Sequence, residues 1–272
     1  AAAATTTTTT TGTWRFCATG SGAAVGGGES AGILQDSSRF PFQEFERGPG
    51  NYGPARQVFA RPFLLVCGAD NGPGPCSAAT YLSNVHWTAS ATFAPVLRDN
   101  DALLPPARAL VESSNLILIG TPIENRLTRA MMASAEGGGT VNGGPSHQHR
   151  NPNHPPIRFI PGGDGLHLRL GPCLFRGEGI GVLFLWPHWN PTTETAGTRL
   201  VVAGLGKRGL ANIMRMARPT IPPMMRAPFA NQVPDFMVVD DDIFPKGTGG
   251  IVAAGFWGNH WEYVAENSFM RC

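Results

Sequence analysis

Two short apolar runs with no polar interruption constrain this chain more than anything else in it. Pro62-Phe-Leu-Leu-Val-Cys67 is closed by Gly68, and Asn115-Leu-Ile-Leu-Ile ends at Gly120. A strand that alternates exposes one face, whereas one that does not alternate is covered on both, as inside a parallel sheet. Parallel neighbours need crossover segments, usually helical. Between Ala78 and Phe93 the residues Ala78, Leu82, Val85 and Ala89 recur at helical spacing and predict a helix with one buried face. A further strand is expected at Ala94–Leu97, ended by Asp99. Thr121 as N-cap, Pro122 at the first helical position and Glu124 in the first turn predict a helix continuing through Leu127, Ala130 and Met131.

Gly137–Pro156, rich in Gly, Asn, His and Pro, reads as a surface loop. Leu166–Phe175 and Gly179–Trp186 read as hairpin-like stretches appended to the main sheet. The parallel rhythm then resumes with Arg199–Ala203, a helix near Leu210–Ala217, Asp235–Val239 and a last strand at Ile251–Ala254. The expectation is an α/β fold: a doubly wound, mostly parallel open sheet of about six strands with an appended β-hairpin region. Residues 1–38, dominated by Ala, Thr and Gly, form a low-complexity or irregular lead-in, and residues 39–272 form the α/β domain. The opening AAAATTTTTT lacks an initiator Met, so the true start is expected upstream.

Composition narrows the function classes. Charged residues make up only 15% of the chain and the net charge is +2, with basic and acidic residues interspersed, so no concentrated positive face for nucleic acid is expected. The longest apolar runs are strand-sized, short of the roughly 20 residues that cross a bilayer, and the chain reads as soluble with no membrane partner. No cofactor is assigned. Cys17, Cys67, Cys76, Cys173 and Cys272 form no CxxC pair and read as buried thiols, with a Cys67–Cys76 bridge as the alternative.

Several segments, in order, carry a family resemblance: ERGPGNYGPARQVFARPFLLVCG from Glu46, NLILIGTPIEN from Asn115, FRGEGIGVLFLWPHWNP from Phe175, RLVVAG from Arg199, then DFMVVDD and AAGFWGNHW. Over about Phe40–Trp261 the chain resembles the region following the catalytic domain in prolyl-oligopeptidase-like and polyhydroxybutyrate-depolymerase-like serine hydrolases. The resemblance implies an accessory C-terminal α/β domain, non-catalytic in itself. Its partner would be the catalytic domain of the same polypeptide or a hydrolase partner, in a secreted or extracellular setting. The first 38 residues and the His-rich insert depart from the pattern.

Local motifs offer competing readings. Gly28-Glu29-Ser30-Ala31-Gly32 fits the G-x-S-x-G elbow of α/β-hydrolases, and Asp241 (or its neighbours Asp240 and Asp242) with His260 would complete a Ser30–Asp241–His260 triad of a small esterase. The elbow needs a buried strand before it, and Ala18–Gly28 is glycine-rich, so Ser30 also reads as a loop serine. Gly204-Leu-Gly206-Lys-Arg-Gly209 follows a strand and precedes a helix, as a dinucleotide fingerprint does, but lacks the acidic residue about 20 positions on. His147, His149 and His154 share one loop and are metal-ligand candidates, or a solvated His-rich loop. Trp186, His188 and Trp189, and Trp257, His260 and Trp261, read as an aromatic binding surface or as core and docking residues. Asp70, Asn71, Thr121, Asn125 and Gly204 would gather at the carboxyl edge of the sheet, where open α/β sheets bind ligands and where caps also sit.

Overall fold

A computed structural model supplies the fold, and it describes Arg47 and residues 55–69, 74–133, 155–190, 195–218 and 233–272. The expected lead-in over 1–38 lies outside these residues, as does nearly all of the expected loop at 137–156. The expected runs become β1 (Phe63–Cys67) and β3 (Asn115–Ile119), each buried at every position. The intervening pattern becomes α1 (Gly74–Ser90), β2 (Val96–Arg98) and two short helices, α2 (Asp99–Ala102) and α3 (Pro105–Ser113). After β3 come α4 (Arg126–Ala133), then β4 (Ile157–Gly162), β5 (Gly165–Leu170) and β6 (Cys173–Phe175). The chain continues with β7 (Gly181–Asn190), β8 (Thr195–Gly204), α5 (Lys207–Met214), β9 (Phe236–Val239), α6 (Ile243–Lys246), β10 (Ile251–Trp257) and β11 (Tyr263–Met270).

The fold is α/β, with the main sheet mixed: eight strands in the order β11-β10-β9-β7-β8-β3-β1-β2. β2, β1, β3 and β8 are mutually parallel neighbours. The stretch Gly179–Trp186, expected in the appended hairpins, instead supplies β7, which runs antiparallel between β8 and β9. Its GVLFLW segment is apolar on both faces and buried throughout, which the interior of a sheet satisfies and an appendage does not. Pro187 falls where β7 pairs with β8 alone, so its missing N–H interrupts no pairing with β9. The last expected strand, Ile251–Ala254, runs antiparallel to β9 and folds back into β11. A separate three-stranded antiparallel sheet, β4-β5-β6, absorbs the expected Leu166–Phe175 hairpin.

Four cysteines read as buried thiols form two disulfides, one of them the Cys67–Cys76 bridge expected as the alternative. Cys67–Cys76 joins the end of β1 to the first turn of α1, and Cys173–Cys272 joins the small sheet to the residues after β11. The second encloses 99 residues of sequence separation and so removes much unfolded-state freedom. At the amino edge of the sheet a 3-10 turn, Ala55–Ala60, is held by Asn115. The Asn115 carboxamide donates to the Val58 carbonyl (2.9 Å) and accepts from the Thr198 N–H (2.9 Å).

The same edge contains a buried ion pair. Asp235, just before β9, has no solvent exposure. The Arg47 guanidinium grips it with both terminal nitrogens, Nη2 donating to Oδ1 at 2.8 Å and Nη1 donating to Oδ2. The Trp257 backbone N–H donates to Oδ2 (2.8 Å), and Arg47 also lies over the Trp261 ring, 4.8 Å from its centroid. Trp186 packs edge-on to Trp257 and Trp261, and the Trp257 indole N–H donates to the Leu185 carbonyl. Burial pushes the Asp235 carboxyl above its ordinary range, against the pull of Arg47 and the Trp257 N–H.

His86 presents the opposite case. It is buried on α1 between Phe59 and Phe63, with ring centroids 4.8 and 5.1 Å away, and its Nε2 has no hydrogen-bond partner among the described residues. Burial holds its pKa below the ordinary imidazole value.

Two measurements follow from these groups. Arg47→Leu leaves a buried carboxylate without its counterion and is expected to lower stability by about 3–5 kcal/mol in urea titration. Adding Asp235→Leu should recover part of that loss. Because the folded state resists protonating His86 and the unfolded chain does not, stability is expected to be complete above about pH 6.5 and to fall as pH drops below it. His86→Phe should flatten that portion of a urea-midpoint profile measured from pH 7.5 to 5.

Candidate functional site

The order β2-β1-β3 means that the chain leaves β1 toward one side and returns from β2 to the other. Between the carboxyl ends of β1 and β3 this reversal opens a crevice, the usual ligand position in open α/β sheets. Here the chain's own side chains occupy it. Asn125 has no exposure; its carboxamide donates to the carbonyls of Val66 (2.9 Å) and Ile119 (3.1 Å) and accepts from the N–H groups of Leu127 (2.9 Å) and Thr128 (3.2 Å). Asp99, also fully buried, accepts from Ala69 N–H (3.2 Å) and Asn100 N–H (2.9 Å) through Oδ1 and from Arg126 N–H (2.8 Å) through Oδ2. The Gly68 N–H donates to the Ile119 carbonyl at 3.0 Å.

This arrangement corrects the expected helix start. Thr121, Pro122 and Glu124 form a turn, with the Glu124 carboxylate accepting from both the N–H and the hydroxyl of Thr121 at 2.9 Å. The helix begins at Arg126, and Asn125 and Asp99 cap its first three N–H groups. Those N–H groups are the ones an anion would use at a helix start. Of the other residues expected at this edge, Asp70 and Asn71 lie outside the described residues.

The Gly204–Gly209 turn does join β8 to α5, in the position a dinucleotide fingerprint requires. Its close backbone approach is used internally, by the segment Gly177–Gly181. The Gly209 N–H donates to the Glu178 carbonyl (2.8 Å) and the Leu205 N–H to the Ile180 carbonyl (2.9 Å). A Cβ added to Gly209 would lie 2.0 Å from the Ile180 oxygen, and one added to Gly206 would lie 2.9 Å from the Glu178 Cβ. Sequence spacing shows that backbone must approach closely here; it does not show whose.

Asp241 and His260 are not brought together. Asp241 follows the carboxyl end of β9, where its Oδ1 accepts from the Asn212 carboxamide (3.0 Å) and its Oδ2 lies 3.5 Å from Arg208. β10 runs antiparallel to β9, so the turn Gly258–Trp261 that carries His260 stands at the other end, beside Asp235. The length of β9 separates the two, roughly 13 Å by strand rise alone. An acid and a base following two parallel strands share an edge; the antiparallel return of β10 removes that coincidence. Ser30 lies outside the described residues, as do His147, His149 and His154. Among the described residues no three His, Cys, Asp or Glu side chains are close enough to hold a metal ion, and no helix is long and apolar enough to cross a membrane. Trp186, Trp257 and Trp261 are core residues, whereas the side chains of His188 and Trp189 are outside the described set.

The surface features that sequence reading passed over lie on the segments that flank β2 in the sequence. Of eleven exposed large hydrophobic residues among those described, six (Tyr81, Trp87, Phe93, Leu103, Leu104 and Leu110) fall within α1 to α3. α3 buries none of its residues. The cue was present in Leu103, Leu104, Leu110 and Val111, a leucine-rich stretch that a helix packed on the sheet would bury.

Asn125→Ala removes a cap and the donor to two strand carbonyls, and is expected to lower stability by about 2–3 kcal/mol in urea titration. A scan against models of protein families finds no match, and searches of curated proteins and of solved structures find no similar chain.

Proposed function

We propose that this chain is an accessory, non-catalytic α/β domain of a serine hydrolase of peptidase or esterase type. It docks on a catalytic domain, either of the same polypeptide or of a hydrolase partner. The observation that carries this reading is α3, a helix that buries none of its own residues while Leu103, Leu104 and Leu110 face solvent. Exposed leucines concentrated on and just before one short helix favour protein–protein contact. The closed crevice between β1 and β3 supports a role other than chemistry, since its polar groups are engaged in holding the fold. The ordered run of segments that resembles the post-catalytic region of prolyl-oligopeptidase-like hydrolases supplies the class of partner. Two disulfides fit an oxidising, secretory or extracellular setting.

The test uses a fluorophosphonate probe, which labels only an activated serine. Purified natively through this chain, the preparation is expected to carry its label on a serine outside the chain. Leu104→Asp with Leu110→Asp should lower recovery of that label by about tenfold, equivalent to about 1.4 kcal/mol of docking energy, at unchanged melting temperature because both side chains are exposed. Label on Ser30, abolished by Ser30→Ala, would overturn the reading, and so would a preparation with no labelled serine.

A further inference from the structure

A cavity of about 300 Å³ opens at the end of α1, lined by Ser83, Asn84, Trp87, Thr92, Phe93 and Ala94. That volume is at the lower end of small-molecule sites. Trp87 is 60% exposed and Phe93 76%, the two most exposed large hydrophobic residues among those described. Their position is set by backbone geometry. Ala91 ends the helix at φ +50°, in the left-handed region that usually falls to glycine, and its N–H donates to the Trp87 carbonyl at 2.9 Å. The chain then doubles back along α1, and the Ser83 hydroxyl donates to the Ala94 carbonyl (2.7 Å), fixing Phe93 on the far side of the opening.

We propose that this cavity is a binding site for a neutral carbohydrate ring. Three features of the lining select that chemistry. No charged side chain lines the cavity, so neither an anion nor a cation finds its counterpart there. The lining pairs two exposed aromatic side chains with polar groups, matching a pyranose, whose axial C–H bonds form an apolar face and whose rim carries hydroxyls. Of the polar groups, the Ser83 and Thr92 hydroxyls are bonded within the chain, whereas neither the Asn84 carboxamide nor the Trp87 indole N–H bonds any described residue, so one offers a donor and an acceptor and the other a donor. None of Leu103, Leu104 and Leu110, on which docking was argued, lines this site, so either reading can fail without the other.

The test is isothermal titration of the full chain with a panel of neutral oligosaccharides built on glucose, mannose, galactose, xylose and N-acetylglucosamine. At least one is expected to bind saturably with Kd on the order of 1 mM or tighter. Trp87→Ala and Asn84→Ala should each weaken that binding by about tenfold or more, Trp87→Phe should retain most of it, and Leu104→Asp with Leu110→Asp should leave it unchanged. Melting temperatures of the Trp87 and Asn84 variants report folding, which two exposed side chains should barely affect. A panel with no saturable binder, binding indifferent to Trp87→Ala, or saturable capture of apolar peptides through Trp87 in place of sugars would each overturn the proposal.

Discussion

Asp235 is a carboxylate with no access to water, and a charge in that position persists only if it is paired and hydrogen-bonded. Arg47, from a distant part of the sequence, provides the countercharge, and the Trp257 N–H provides a further donor. Other contacts at the amino edge depend on this pairing. It fixes where β10 ends against β9, and so where Trp257 and Trp261 meet Trp186. Trp261 itself takes φ +62° to turn back under Arg47. That is an uncommon conformation for a large residue, held here by the packing around it.

The opposite edge of the sheet follows a similar logic, with backbone groups as the ones to be satisfied. An open α/β sheet must part where its strand order reverses, and parting exposes carbonyls and helix-start N–H groups that require partners. In many such folds a ligand completes them. Here one asparagine and one aspartate do so, with the Cys67–Cys76 bridge tying down the start of α1 beside them. A crevice completed by its own chain acts as a structural joint, and the docking proposed above is assigned to surfaces elsewhere. Those surfaces are on the segments that flank β2 in the sequence, where α3 and the end of α1 leave apolar side chains uncovered.

Much of the fold was legible because the burial pattern of a parallel strand is written into consecutive residues. β1 and β3 read directly from FLLVC and NLILI, and α1 and α5 fell close to where helical spacing put them. The failures were equally physical. GVLFLW is as uninterrupted as β1, yet proximity to a hairpin-like stretch assigned it to an appendage, when its apolarity on both faces called for the middle of the sheet. Thr121-Pro122 has the composition of a helix start, but the carboxamide of Asn125 offers a better acceptor to the next N–H groups, and the helix waits for it.

Local sequence by itself determined the buried strands β1 and β3, the approximate places of α1 and α5 and the close backbone approach at the glycine turn after β8, since those properties depend on side chains within a few residues of one another. Strand direction, and therefore whether Asp241 and His260 share an edge, was decided only by tertiary structure, because the return of β10 depends on pairing partners far away in the chain. The same holds for the glycine turn after β8. Its spacing marks a close approach, but only the packed molecule decides that the approaching backbone is Glu178–Ile180.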